Sequence, residues 1–194
     1  AVTITAHGFV PNEGPLTRQG AKPGDLIYVT GSLGDAGVGL DIHQGKRTAN
    51  EHCATFLINR LNYPSPRLLA GTALRRIASS CIDLSDGVAR DIQHILKQSD
   101  CGARIQVDKL PLSVALKEAV DDEEAYSYAL AAGDDYELMF TVNEENKGTL
   151  DTALANANIS ATCIGHITGA KGKLELRFED EAYESLRSGF EHFS

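Results

Sequence analysis

The 194-residue chain contains no tryptophan, a single methionine and only four cysteines. Cys53, Cys81, Cys101 and Cys163 are widely spaced and make no CxxC pair, so they suggest neither a zinc cluster nor a disulfide framework. Free thiols in a reducing cytosol are the expectation, which places the protein in the cytoplasm. Positive charge is also scarce: 18 Lys and Arg stand against 27 Asp and Glu, a net charge of −9. A nucleic-acid surface would need a basic patch, so that class of partner is set aside. No apolar run approaches the ~20 residues of a membrane-spanning helix. The opening AVTITAHGFV lacks the basic flank and small-residue cleavage site of a secretory leader. The chain starts at Ala1 in the middle of an alternating pattern, as a piece of a longer protein would. Internal repeats, linkers and low-complexity tracts are missing too.

What is present is an ordinary globular balance, 42% apolar and 23% charged, on a length that suits one large domain or two small ones. The chain is organised around Cys81–Gly87, CIDLSDG. An apolar approach (Ile77, Ala78, Cys81, Ile82) runs into Asp83 and Asp86, with Ser85 between them. Val88, Ile92, Ile95 and Leu96 then recur at helical spacing. The pattern predicts a strand ending near Leu84 and a helix capped by Ser85 or Asp86. Two readings stand. In one, the free N–H groups of the helix start and a Mg²⁺ ion between the two acids accept phosphate oxygens. In the other, this is a helix start with two solvated acids.

The remaining elements follow in order. Val2, Ile4, Ala6 and Phe9 alternate as a strand, with His7 a strand-face residue rather than a ligand. Pro11–Asp25 is a loop with a Pro23-Gly24 turn, and Leu26–Gly31 a second strand. Gly31, Gly34, Gly37 and Gly39 invite a nucleotide reading, but there is no GK[ST] and GVGLDI lacks the last glycine of GxGxxG. Close packing at a strand-to-helix turn is the better reading of these glycines. Thr48 and Glu51 suggest a capping box, and Ser65-Pro66 a further helix start whose inner stripe is Leu69, Ala73, Leu74 and Ile77. Arg67, Arg75 and Arg76 are assigned to solvent or salt bridges rather than to phosphate. A strand over Ala103–Leu110, a helix from Pro111 to Val120 and a helix start at the acidic run Asp121–Glu124 come next. In AAGDDYELMF, Gly133, Asp134, Asp135 and Glu137 crowd three acids at the entry to a strand through Val142. A surface helix over Asn143–Asn156 precedes two strands joined through a Gly169–Gly172 turn. Phe190 and Phe193 of the tail are assigned to packing on the domain. Together these predict one mixed α/β domain, a mixed sheet with helices packed on it.

The stretches HGFV, LTRQGAKPGDLIYVTG, YPSPR, SSCIDLSDG, DCGARI, AAGDDYELMFTV, CIGHIT and GFEHF, in this order and spacing, resemble the thiamine-monophosphate kinases. These belong to a superfamily with aminoimidazole ribonucleotide synthetase, selenophosphate synthetase and a hydrogenase maturation protein. The resemblance covers essentially the whole chain. It implies that residues 1–194 are the C-terminal domain, a mixed α/β layer fold, of an enzyme whose N-terminal ATP-binding and dimerisation domain is absent. The implied activity is Mg²⁺-dependent transfer of phosphate from ATP to thiamine monophosphate, giving thiamine diphosphate, by a homodimer when full length. The implied site residues are Asp83 and Asp86 for Mg²⁺, Ser85 for ATP, and Asp134 and Phe190 for the substrate. The family usually has Glu at position 134 and often Tyr or Trp at position 190. No side chain is implied to form a covalent intermediate, and the isolated domain is expected to be inactive. A sibling synthetase with another acceptor, or a non-catalytic binding module, are the competing readings.

Overall fold

The computed structural model describes residues 3–5, 7–11 and 14–185. Among them, seven strands form one sheet: β1 (Leu26–Thr30), β2 (Ser80–Asp83), β3 (Gly102–Gln106), β4 (Leu138–Val142), β5 (Ala161–Thr168), β6 (Leu174–Phe178) and β7 (Glu181–Ala182). Their order is β2-β4-β1-β5-β3-β6-β7. Every neighbouring pair is antiparallel except β3–β6, which is parallel. Seven α-helices pack on this sheet: α1 (Asp35–His43), α2 (Glu51–Asn62), α3 (Leu68–Leu74), α4 (Val88–Ser99), α5 (Val114–Ala119), α6 (Asp122–Ala131) and α7 (Lys147–Asn156). The mixed α/β expectation holds.

Alternation along β1 and β4 explains the two layers. Ile27, Val29 and Met139 point to the face covered by α4, where Val88, Ile92 and Ile95 are fully buried. Tyr28, Phe140 and Val142 point to the other face and meet Leu74 of α3 and Leu150 and Leu154 of α7. Each fully buried Ile or Leu contributes about 1.5–3 kcal/mol, so α4 is held by its stripe rather than by its ends. A third cluster joins α1, α2, α5 and α6 through Val38, Leu57, Leu116 and Tyr128. The glycines of α1 allow it: a Cβ on Gly39 would overlap the Leu57 carbonyl oxygen, and one on Gly37 the Ala132 methyl group.

The structure corrects several local expectations. The described residues between 3 and 10 form no strand, and Ile4 and Phe9 are exposed. No strand beside them among the described residues supplies ladder partners, and alternation alone does not hold a strand. The two strands joined through the Gly169–Gly172 turn are present as β5 and β6, but they do not pair with each other, because β3 lies between them and pairs with both. Asn50, not Thr48, caps α2 by accepting the Cys53 N–H at 2.9 Å. Helix α3 starts at Leu68, later than Ser65-Pro66 suggests, and Leu69 faces solvent while Ala70 and Leu74 are buried. At the acidic run the expected start holds, with Asp121 accepting the Glu124 N–H at the start of α6, whereas the helix expected from Pro111 starts at Val114, where Ser113 accepts the Leu116 N–H. Among the described residues, no helix is long and apolar enough to cross a membrane, and all four cysteines are free.

Candidate active site

β2 is an edge strand, and the turn that follows it carries the two acids to the rim of the sheet. The ladder with β4 continues beyond the strand: Leu84 N–H donates to Glu137 O at 2.8 Å, Tyr136 N–H to Leu84 O at 2.9 Å, and Asp134 N–H to Ser85 O at 2.9 Å. IDLSDG and GDDYEL are therefore two sides of one backbone-paired corner. Gly133 makes the approach possible, since a Cβ there would overlap the Ser85 carbonyl oxygen. Gly87, at φ 102, does the same opposite α6, where a Cβ would lie 2.8 Å from the Leu130 oxygen.

At this corner Asp83 is exposed at the end of β2, while Ser85, Asp86 and Asp134 are partly exposed. Asp86 pairs with Arg90 one turn along α4, at 3.5 Å. Neither Ser85 nor Asp86 caps the helix. The cap residue is Gly87, and the carboxylate of Asp91, from inside the first turn, accepts the N–H groups of Ser85 at 3.0 Å and Asp86 at 2.9 Å. Asp91 is 2% exposed, and burial raises its pKa, with the charges of Asp86 and Asp83 adding to the rise. Sequence reasoning missed Asp91. Its signal was an acid inside the apolar stripe of α4, between Val88 and Ile92.

Asp134 and Tyr136 both have left-handed backbone, at φ 59 and φ 50. Tyr136 is 41% exposed. Burial, then the charge of the Asp134 carboxylate, and then Asp83 and Asp86 raise the phenol above its ordinary pKa. This places Tyr136 among the three acids. Beside it lies a mostly apolar cleft of about 510 Å³, lined by Pro66, Leu68, Arg75, Asp83, Tyr136 and Leu138 among others.

The other two acids of GDDYEL point into the protein. Glu137 is 1% exposed and binds both Arg67, in a bidentate pair, and Arg60, at 3.1 Å, while accepting the Thr30 hydroxyl at 2.6 Å. Arg67 is thus salt-bridged, as expected. Asp135 is buried and takes the N–H of Gly34 at 2.8 Å. The start of α1, where glycines invited a phosphate, is therefore occupied by a carboxylate of the chain itself. Burial pushes the Asp135 pKa up to about 7, Asp35 adds to the rise, and the Gly34 N–H and Arg60 oppose it.

Among the described residues, no three His, Cys, Asp or Glu side chains could hold a metal ion by themselves. The corner instead offers hard carboxylate oxygens from Asp83 and Asp86 in an open setting. That donor set fits Mg²⁺, which is commonly bound by one or two carboxylates and completes its shell with phosphate oxygens and water. Phe190 lies outside the described residues, as does Phe193.

Residues 22–177 match the family described as AIR synthase related protein, C-terminal domain. The chain is 48% identical to the thiamine-monophosphate kinase of Escherichia coli K12 over 195 aligned residues, covering 100% of this chain and 60% of that protein. The crystal structure of thiamine-monophosphate kinase from Stenotrophomonas maltophilia K279a superposes with a TM-score of 0.78 at 35% identity, over 89% of this chain and 55% of that one. AaThiL complexed with AMPPCP and TMP superposes with a TM-score of 0.76 at 29% identity, over 92% of this chain and 54% of that one. The chain thus spans about 60% of the length of the curated relatives it matches.

Proposed function

This chain belongs to the AIR synthase related protein C-terminal domain family, and on that premise we propose that it is the C-terminal domain of a thiamine-monophosphate kinase. The observation that carries the reading is the 48% identity to such a kinase along the whole chain. The reaction is transfer of the terminal phosphate of ATP to thiamine monophosphate, giving thiamine diphosphate and ADP. The complex of AaThiL with AMPPCP and TMP supports a nucleotide and thiamine monophosphate as its ligands, and favours a thiamine acceptor over that of a sibling synthetase. The longer protein would be a cytoplasmic homodimer with an N-terminal domain that supplies the rest of the ATP site.

In this proposal Asp83 and Asp86 hold Mg²⁺ at the rim of the sheet. When bound, the ion supplies positive charge against phosphate oxygens that the two acids alone would repel. The chain's own part is positioning. Asp91 holds the turn so that Ser85 and Asp86 present their side chains outward, Ser85 towards the nucleotide. Asp134, carried beside Ser85 by backbone pairing, faces the cationic thiamine. The shorter Asp in place of the family's Glu brings the carboxylate nearer its own left-handed backbone, a conformation that Asp tolerates. Phe190, which lies outside the described residues, is the proposed aromatic partner for the thiamine rings.

The test is Asp83→Asn in the full-length enzyme, which should abolish turnover while leaving the fold and its melting temperature intact. A Mg²⁺-dependent, fully active Asp83→Asn enzyme would remove the metal role. The isolated 194-residue chain should not turn over ATP with thiamine monophosphate, and turnover by it would overturn the requirement for a second domain.

A further inference from the structure

We infer that Tyr136 is a substrate-binding residue whose ring forms the wall against which a heteroaromatic cation packs. The inference rests on the kinase reading and adds a contact that the family resemblance does not supply.

The backbone comes first. A bulky residue at φ 50 is a genuine outlier, and such strain persists only where the surroundings over-determine it. Here they do: the Tyr136 N–H is tied to the Leu84 oxygen at 2.9 Å, and the flanking Asp135 and Glu137 are both anchored in the interior. Glycine or asparagine would take this conformation with less strain, so the fold does not ask for a tyrosine. Nor does the core, because 41% of the residue stays exposed while its neighbours in sequence are buried.

The surroundings of the ring say what it would meet. It shares a cleft of about 510 Å³ with Pro66, Leu68 and Leu138, apolar surfaces suited to flat rings. Asp83 lines the same cleft, and Asp134 stands two residues before Tyr136 on the same turn. An aromatic face beside carboxylates attracts an organic cation through both its quadrupole and the acids. Arg67, which could have cancelled that field, is bound to the buried Glu137. Arg75, also in the lining, supplies the opposite sign that a substrate's phosphate needs. A thiazolium carrying a phosphate matches this arrangement in each part.

Steady-state kinetics of the full-length enzyme test it. Tyr136→Phe keeps the ring and should raise KM for thiamine monophosphate about 3-fold. Tyr136→Leu keeps apolar volume but loses the aromatic face, and should raise it roughly 10–30-fold. KM for ATP and kcat should stay within about 2-fold in both. A purely structural role would not separate the two substrates. Unchanged KM for thiamine monophosphate in both variants, or an equal rise for ATP, would overturn the inference while leaving the kinase reading intact. A wild-type enzyme inactive on thiamine monophosphate would overturn both. If Tyr136→Leu does not fold, Tyr136→Phe decides alone.

Discussion

The carboxylate of Asp91 accepts the backbone N–H of Asp86 at 2.9 Å, so one buried acid sets the direction in which another, partly exposed one points. The same oxygen takes the Ser85 N–H. Asp91→Ala should destabilise the protein by about 1–3 kcal/mol, because two donors lose their acceptor. Asp91→Asn keeps an acceptor oxygen and should recover most of that loss. Urea unfolding of the three proteins checks this, and equal midpoints would mean that water replaces the carboxylate without penalty.

Glu137 ties β1, α2 and the turn before α3 to the start of β4. Glu137→Ala leaves Arg60 and Arg67 without their shared acceptor and should cost about 3–5 kcal/mol. A double-mutant cycle with Arg67→Ala should give a coupling of about 0.5–3 kcal/mol. Additive effects would show that the pair is not a unit.

Two glycines with similar backbone make a controlled comparison. Gly133 has φ 73 and no room for a Cβ, whereas Gly172 has φ 66 and open space around it. Gly172→Ala should cost only the left-handed penalty, roughly 1–2 kcal/mol. Gly133→Ala should cost more, because the Ser85 carbonyl must also move. Denaturant midpoints that fall equally would refute the close approach at the site corner.

Asp135 gives the stability curve a slope of known sign. Its folded pKa of about 7 lies above the unfolded value near 4, so the folded chain holds the proton more readily. Its contribution is fully present below the unfolded pKa and is lost as pH rises through about 7. Asp135→Asn removes the titration and should flatten the fall in stability between about pH 4 and 7. The difference between wild type and variant isolates Asp135 from Glu175, which Lys173 and Arg104 pull down to about 2 and which titrates below that window. Parallel curves would show that Asp135 stays ionised throughout.

What the sequence made legible was local. The stripe Val88, Ile92, Ile95 and Leu96 located α4, though its cap fell at Gly87 rather than Ser85 or Asp86, and the alternation of Leu138–Val142 placed β4, because both periodicities are written in neighbouring positions. The acids of IDLSDG were visible for the same reason. Partner choice was not. The insertion of β3 between β5 and β6 depends on hydrogen bonds between residues some seventy positions apart, such as Arg104 and Glu175, which leave no local trace. The choice of Arg67 by Glu137 is equally non-local, and it explains why three adjacent acids of GDDYEL looked alike in sequence yet divide into one facing out and two facing in. Thr48 lost its cap to Asn50 by two residues, a margin that pattern reading cannot resolve.

The parallel seam between β3 and β6 also bears on how fast the native state is reached. β6 has only the two-residue β7 as a hairpin mate, and on its other side it must wait for a strand made some seventy residues earlier. Closing that loop spends chain entropy before any reward arrives, so this half of the sheet should assemble late and govern the refolding time. The corner bearing Asp83 needs only β2 and β4, and β4 is flanked by β1, so it can be complete while the far end is still open.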